Sequence, residues 1–215
     1  MTLSPVTLAG RHARLEPLGE HHLASLLRHG ADADIWRWMP TLRDDPRESV
    51  RVWFERATTG TARGDVVAWA IVDAASGEAV GGTTYLDLAL ADKRVEIGST
   101  WHAKAVWRTA INTECKFLLL RHAFETLGCN RVQLKTDLRN LRSQAAIARL
   151  GAVREGVLRS QMVMPDGWVR DTVMFSIIAT EWPAVKAGLE QKMARPEARA
   201  SRPDQATTSA STKPS

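Results

Sequence analysis

A short segment, Ala105–Asn112, separates a strand-type run, Arg94–His102, from a helical pattern, Thr113–Leu127. In an open sheet, ligands bind beyond the carboxyl ends of the strands. A helix that begins there presents unpaired N–H groups and the positive end of its dipole, and both attract phosphate. The segment is therefore predicted to bind a phosphorylated ligand.

Two polar side chains, Asn140 and Ser143, follow the next strand-type run, Arg131–Thr136, with the spacing Asn-x-x-Ser. Asn140 can cap a helix predicted at Leu141–Leu150, since asparagine is a favoured N-cap residue, or it can hydrogen-bond a ligand at the end of the strand. Ser143 stands on the same predicted helix and can simply lie at its surface. The sequence leaves the roles of both residues open.

The run Arg94–His102 carries two titratable side chains. Alternation with a period of two predicts one face with Glu96, Gly98, Thr100 and His102, and an opposite face with Val95, Ile97 and Trp101. Six residues at about 3.3 Å each separate Glu96 from His102 by roughly 20 Å, so they cannot form a contact pair. Glu96 can act as a base through water or form a salt bridge to a neighbouring strand.

The remaining patterns predict an α+β protein with a mixed sheet and one strand–helix–strand crossover. Further strands are predicted at Val6–Leu15, Val66–Asp73, Ala79–Asp87, Val153–Met164 and Trp168–Ile178, and further helices at His21–Arg28, Pro46–Ala57 and Glu181–Met193. Asp45 before Pro46 suits an N-cap, and Gly128 suits a helix end.

Length and composition predict one globular domain, residues 1–194. Residues 195–215 lack large apolar side chains and are predicted to be a disordered tail. The formal charge of +5 falls to +3 without this stretch, which is too weak to indicate nucleic-acid binding. No apolar stretch is long enough for a membrane span and no signal pattern begins the chain, so we expect a cytoplasmic protein.

The two cysteines, Cys115 and Cys129, form no metal-ligand pattern with the histidines. Neither a disulfide framework nor a metal site is predicted, and two inert buried thiols are expected.

Together the motifs resemble the GNAT (GCN5-related) N-acetyltransferases of the RimJ/RimL-like branch over residues 6–180. Val95–Gly98 is similar to the strand motif of that family, and Trp107–Glu114 is similar to its W-G-x-G-x-A-T-E turn. The series continues with Asn140-x-x-Ser143, Leu150-Gly151 and Glu155-Gly156-x-Leu158-Arg159. These motifs in the right order and at the right spacing make the resemblance specific.

The resemblance implies a GNAT fold, with a mostly antiparallel sheet of about seven strands flanked by helices. Its splayed central strands, here Arg94–His102 and Arg131–Thr136, would hold the pantetheine arm of acetyl-CoA like an extra strand. The implied binding residues for acetyl-CoA are Thr100, Trp101, His102, Trp107, Arg108, Thr109, Ala110, Ile111, Asn112, Thr113 and Asn140. The family builds its acceptor-side wall where Trp36 and Trp38 stand, although simple packing explains both equally well.

The resemblance also implies catalytic roles. Ser143 matches the position of an acid that can donate to the leaving sulfur, and Glu96 matches a carboxylate position that can serve as base. The tyrosine acid of many relatives has no counterpart, since the only tyrosine, Tyr85, lies on a predicted strand. A further carboxylate position of the family is filled by Met162.

One departure concerns the phosphate turn, which the family writes Q/R-x-x-G-x-G/A. Ala110 and Asn112 stand at its two small positions, and a strained turn is expected because glycine is the residue that adopts positive φ without cost. The departure favours an alternative function, a degenerate domain that binds acyl-CoA as a sensor or interaction module.

The expected function is transfer of acetyl from acetyl-CoA to a primary amine, either a protein N-terminal α-amine or a small-molecule amine. Deprotonation at pH 7 costs about 1.4 kcal/mol for an α-amine and about 4.6 kcal/mol for lysine, so a weak base suits an α-amine. Dimers are common in the resembled family, which makes a homodimer compatible with the resemblance.

Overall fold

The computed structural model describes residues 3–194. Its strands are β1 (Leu8–Ala9), β2 (Ala13–Pro17), β3 (Val67–Asp73), β4 (Ala79–Ala89), β5 (Arg94–His102), β6 (Arg131–Asp137), β7 (Val153–Val163) and β8 (Val169–Ile178). They form one sheet in the order β1-β2-β3-β4-β5-β6-β8-β7, with β5 and β6 parallel and the other neighbours antiparallel. The predicted mixed α+β architecture is confirmed, with eight strands rather than seven. The predicted tail, 195–215, lies outside the described residues.

Five α-helices flank the sheet: α1 (Leu23–His29), α2 (Pro46–Arg63), α3 (Ala110–Arg121), α4 (Leu141–Arg149) and α5 (Trp182–Ala194). The predicted cap of α2 is confirmed, because the Asp45 carboxylate accepts a hydrogen bond from the N–H of Arg47 at 2.8 Å. Gly64, with φ of 80°, ends this helix in the left-handed conformation that glycine favours. No helix among residues 3–194 is both long and apolar enough to cross a membrane.

The helices form two layers, one on each face of the sheet. On one face α1 contacts β4 and α2 contacts β3, and Trp53 packs there in a core cluster with Trp101. The other face is covered by α3, α4 and α5, which contribute Leu119, Ile147 and Leu189 to a second core cluster. The sheet thus separates two cores, and β3, β4 and β5 contribute side chains to both.

The predicted first strand, Val6–Leu15, is instead a hairpin of β1 and β2. At its turn the backbone N–H groups of Arg11, His12 and Ala13 donate to the Glu114 carboxylate of α3, at 2.8, 2.5 and 2.7 Å. Three successive donors directed at one buried carboxylate cannot belong to a straight strand, whose N–H groups alternate in direction. The prediction of one continuous strand is therefore wrong, and this hairpin adds the eighth strand.

Strand β5 contains a β-bulge. Its pairing with β4 shifts by one residue after Gly98, where Ser99 and Thr100 together oppose Thr83. Ser99 has a φ of 46°, a left-handed conformation that costs a non-glycine residue about 1 kcal/mol. The extra residue reverses the alternation of side chains beyond it.

Because of the bulge, the end of β5 faces a different helix layer from the one predicted. The side chains of Thr100 and His102 hydrogen-bond residues of α3. Trp101 packs instead against Trp36, with ring centroids 5.0 Å apart, in the layer of α1 and α2. The prediction that Thr100 and His102 share a face with Glu96 is therefore wrong.

The expected splay of the central strands is present. β5 and β6 are in register from Arg94 opposite Arg131 to Glu96 opposite Gln133. Beyond this point β5 continues to His102 and β6 to Asp137, while β6 stays paired with β8 on its other side. A gap lined by unpaired strand edges therefore opens toward the carboxyl ends of both strands.

Candidate active site

Each strand that borders the gap leads into a helix N-terminus, and β6 leads into α4. The predicted cap is confirmed, since Asn140 Oδ1 accepts a hydrogen bond from the N–H of Ser143 at 3.1 Å. Both side chains are partly buried. The Asn140 amide nitrogen and the Ser143 hydroxyl make no hydrogen bond to other groups within residues 3–194, so both can donate to a ligand.

The turn between β5 and α3 differs from the expected one. The helix begins at Ala110, three residues earlier than predicted, and its N-cap is Thr109, whose hydroxyl accepts from the N–H of Ile111 at 3.4 Å. Asn112 lies inside the helix, in its first turn. The prediction of backbone strain at Ala110 and Asn112 is wrong, because both residues lie in the right-handed first turn of α3. The left-handed residue of the turn between β5 and α3 is Arg108, with φ of 66°.

An open pocket of about 520 Å³ lies at the start of α3. Its wall combines this helix start with the β1–β2 turn and the ends of α4 and α5: Arg11, His12, Arg108, Thr109, Ala110, Thr113, Arg149, Lys192, Met193 and Ala194. Four of these residues are lysine or arginine and none is acidic. Positive side chains around a helix N-terminus make this pocket suited to phosphate groups.

His102 ties the end of β5 to the first turn of α3. Its Nε2 lies 2.8 Å from Asn112 Oδ1, which requires the proton on Nε2 because an amide oxygen only accepts. Burial lowers the pKa of His102 to about 4, more than the bond to Asn112 raises it. The ring is thus neutral at pH 7, and it leaves Nδ1 buried without a hydrogen-bond partner among the described residues.

Not every residue of the predicted binding set directs its side chain to the pocket. Ile111 and Trp101 are buried in the two cores, so only their backbone atoms can meet a ligand. Trp107 donates from Nε1 to the carbonyl of His102 at 3.0 Å, and the Arg142 guanidinium lies 3.8 Å from the centre of its ring. Trp107 therefore closes the turn and connects it to α4.

A family model described as an acetyltransferase (GNAT) domain matches residues 12–153. The chain belongs to the GNAT acetyltransferase family. Two solved GNAT-type structures are similar over most of their length. A T. thermophilus protein described as a putative acetyltransferase has 42% identity and a TM-score of 0.80, covering 89% of this chain and 99% of that one. A GCN5-related N-acetyltransferase from Brucella melitensis has 29% identity and a TM-score of 0.80, covering 88% and 86%.

Two more relatives of this GNAT domain carry RimJ or ribosomal names. Mycobacterium smegmatis RimJ, solved with CoA-disulfide, has the same fold, with 23% identity, a TM-score of 0.71, and coverage of 84% of this chain and 88% of RimJ. Bacillus subtilis YdaF, named a putative ribosomal N-acetyltransferase, is 33% identical over 95 residues, 44% of this chain and 51% of YdaF. The match thus spans about half the length of YdaF.

The GNAT domain buries Glu96 almost completely, with 1% of the residue exposed. Gln133 Nε2 donates to its Oε2 at 3.1 Å, and Lys135 Nζ lies 3.2 Å from its Oε1. The Lys135 contact is an ion pair without hydrogen-bond geometry, because Oε1 has no hydrogen-bond partner among residues 3–194. Of the two alternatives for Glu96, the salt bridge to a neighbouring strand is therefore present, at the point where the gap begins.

Tyr85 lies in the core of the GNAT domain, away from the gap. Its hydroxyl donates to the carbonyl of Leu119 at 2.5 Å, and burial raises its pKa well above the ordinary value. That no tyrosine acts as the acid stays a prediction.

The sequence did not single out Lys116, which lies below the bulge of β5. It is 7% exposed, and its Nζ donates to Thr100 Oγ1 at 2.7 Å. Burial lowers its pKa to about 8. Its position could not be predicted, because Lys116 stands in the apolar run of α3 and the bulge that turns Thr100 toward it has no sequence signature.

We expect Lys116→Met to raise the free energy of unfolding by about 2 kcal/mol at pH 7, because methionine removes a buried charge and gives up one hydrogen bond. The folded pKa of Lys116 lies below the unfolded one, so the charge burial opposes folding fully below pH 8. Between pH 8 and 10.5 only the unfolded chain holds the proton, and stability of the wild type rises with pH. Urea denaturation should therefore show a smaller difference in the free energy of unfolding between Lys116→Met and the wild type at pH 10 than at pH 7.

A matched control is Lys186→Met on α5, where the lysine pairs with Glu125 at the surface, at 2.8 Å. Its effect should be the same at both pH values. The buried-charge account would be contradicted if Lys116→Met were less stable than the wild type at pH 7. It would also be contradicted if the gain in stability at pH 10 were as large as the gain at pH 7.

Proposed function

We propose that the protein transfers acetyl from acetyl-CoA to a primary amine by direct attack of the amine on the thioester. The observation that carries the proposal is the gap between β5 and β6, with the basic pocket at the start of α3 and the donors of Asn140 and Ser143 after the end of β6. Membership in the GNAT family supports the same reaction class.

The basic pocket fits the phosphate groups of CoA. The first-turn N–H groups of α3 and the cations Arg11, Arg108, Arg149 and Lys192 would bind them. The pantetheine arm carries amides that can pair with the backbone of Thr100, Trp101 and His102 like an added strand. The Asn140 amide nitrogen would bind the arm from the side of β6.

In the reaction the amine nitrogen forms a bond to the acetyl carbon while the carbon–sulfur bond breaks. The amine loses a proton and the thiolate of CoA leaves. The Ser143 hydroxyl stabilises the thiolate by donating a hydrogen bond, and the amine proton passes through water to Glu96 or to solvent. Glu96 is already paired with Lys135, and an α-amine, which loses its proton at lower pH than lysine does, suits the site better.

The test is release of CoA thiol from acetyl-CoA in the presence of a panel of amines, with Ser143→Ala as the variant. We expect kcat to fall about 100-fold, the lower end of the range for a group that assists proton transfer or stabilises charge, with the KM for acetyl-CoA nearly unchanged. Ser76→Ala, in the exposed β3–β4 turn, is the control and should match the wild type.

Two outcomes would redirect the assignment. Unchanged kcat in Ser143→Ala would remove the serine from the mechanism. Tight binding of acetyl-CoA without thiol release from any amine would favour the alternative, a degenerate domain that binds acyl-CoA as a sensor or interaction module.

A further inference from the structure

One face of the sheet is apolar under α1 and α2 but polar beyond β5. The contacts of α1 and α2 with the sheet are to β4 and β3, whereas α4 contacts β6 and β8 from the opposite face. Lys135 and Asp137 of β6 and Arg170 and Thr172 of β8 lie on the polar part, beside Glu96. These side chains form a charged floor next to the gap, which we call the polar floor.

Arg139 extends this floor at the end of β6. Its guanidinium donates to both carboxylate oxygens of Asp137, at 3.0 and 2.8 Å. The indole of Trp38 lies 4.8 Å from the guanidinium carbon and that of Trp168 lies 4.2 Å from it. Held by one carboxylate and two rings, the guanidinium has a fixed direction, as a recognition group requires.

The segment that carries Trp38 crosses the wide end of the gap. At one end Asp32 and Asp34 lie 3.2 and 2.6 Å from Lys104, which follows β5. At the other end Trp38 contacts Arg139, which follows β6. Arg139 thus stands at the rim of the gap, on the face opposite the basic pocket, where an acceptor would approach.

Charged side chains of both signs line the polar floor and its rim. The cations are Lys135, Arg139, Arg170 and Arg37, which lies over the Trp38 ring, and the anions are Glu96, Asp137 and Asp166 of the β7–β8 turn. The charges of Arg131 and Glu155 cancel, because these two side chains form an ion pair with each other. Asp32 and Asp34 share Lys104 on the same rim. The pKa of Asp34 is lowered by its hydrogen bond from Lys104 and, to a smaller extent, by the charge of Arg37. Positive and negative charges therefore balance.

The cations also keep donors that the protein does not use. Arg170 is 5% exposed and donates from Nε to Thr172 at 3.0 Å, while its two terminal nitrogens have no hydrogen bond recorded among residues 3–194. The same holds for Nη1 of Arg139, and Lys135 meets Glu96 without hydrogen-bond geometry. Unused donors on positive groups favour an anionic ligand.

We propose that the acceptor amine carries a carboxylate close by, and that Lys135, Arg139 and Arg170 bind this carboxylate on the polar floor. The inference rests on the proposed function, because it names the class of amine that the same site acetylates. Two sources share this chemistry: a free amino acid, through its α-carboxylate, and a peptide with an acidic residue next to its N-terminus.

Matched acceptor pairs test the inference: an amino acid against its amide, and a peptide beginning Ser-Asp against one beginning Ser-Asn. We expect kcat/KM for one carboxylate acceptor to exceed that for its amide about 10- to 100-fold, the range for hydrogen bonds to charged groups. The pair that shows the preference identifies the source. An amide that reacts as well as the carboxylate in both pairs overturns the inference.

Lys135→Gln and Arg139→Gln should each reduce the preference to less than about threefold. The readout is the ratio of kcat/KM for the carboxylate to kcat/KM for its amide, because Lys135→Gln also removes the ion-pair partner of Glu96 and changes the rate for both acceptors alike. The KM for acetyl-CoA should stay the same in both variants. Arg63→Gln removes a cation from a surface pair with Asp65, beyond the far end of β3, and should keep the full preference. An unchanged preference in Lys135→Gln overturns the inference even if Arg139→Gln fails to fold.

Binding separates this inference from the proposed function. If no amine releases thiol, the proposed function fails, and calorimetric titration of the CoA-loaded protein with each acceptor pair still decides the inference. Tighter binding of the carboxylate than of the amide supports it, whereas equal binding, or none, overturns it.

Discussion

Ala110→Asp is expected to abolish binding of acetyl-CoA while leaving the fold intact. Ala110 is the first residue of α3 and lines the basic pocket. A carboxylate in the first turn interacts favourably with the helix dipole, by about 0.3–1 kcal/mol, so the melting temperature should not fall. The same carboxylate repels the phosphate groups of CoA, and calorimetry should show Kd rising at least about 100-fold, as expected when like charges meet at a binding site.

Ala110→Asn is the control for this change, because it adds nearly the same volume without the charge. Its Kd for CoA should stay within about tenfold of the wild type. Equal losses in both variants would mean that space rather than charge governs the turn, and wild-type affinity in Ala110→Asp would place the phosphates elsewhere.

Among the substitutions proposed above, Glu114→Ala is expected to cause the largest decrease in the free energy of unfolding. The carboxylate is buried and accepts three backbone hydrogen bonds from the β1–β2 turn. Removing it leaves three donors without their acceptor, and each hydrogen bond to a charged group contributes about 1.5–3 kcal/mol. Allowing for water that enters the vacated space, we expect a loss of about 4 kcal/mol and a melting temperature about 8–16 °C lower.

The control for this variant is Glu190→Ala, at an exposed position of α5, which should change stability by less than about 0.5 kcal/mol. Glu114→Gln should fall between the two, since its amide keeps one acceptor oxygen. A Glu114→Ala protein as stable as the control would mean that the hairpin turn finds other partners.

The sequence predicted those elements whose signals are local. The runs of β3 to β8 were found because each is bounded by a turn, and α2 was found from Asp45 and Pro46. The bulge at Ser99 was missed because period-two alternation assumes an unbroken ladder. The β1–β2 hairpin was missed for a related reason: its turn is held by Glu114, which lies about 100 positions away along the chain.

The residues of the candidate site likewise divide into those with a local signal in the sequence and those without one. Asn140 and the turn before α3 could be predicted as candidates because they combine a motif with the end of a strand, and their binding of a ligand stays a prediction. Arg139 and Arg170 carry no motif, and only the pairing of β6 with β8 places them near each other. Trp38 was noticed in the sequence, yet its contact with Arg139 depends on the path of the segment between α1 and α2, which side-chain periodicity does not specify.

The division of the molecule by its sheet has a further consequence under the proposed function. The basic pocket belongs to the layer of α3, α4 and α5, whereas the polar floor lies on the opposite face. Acetyl-CoA and the acceptor amine would therefore enter from opposite faces of the sheet and meet at the gap between β5 and β6. Neither substrate would block the entry of the other.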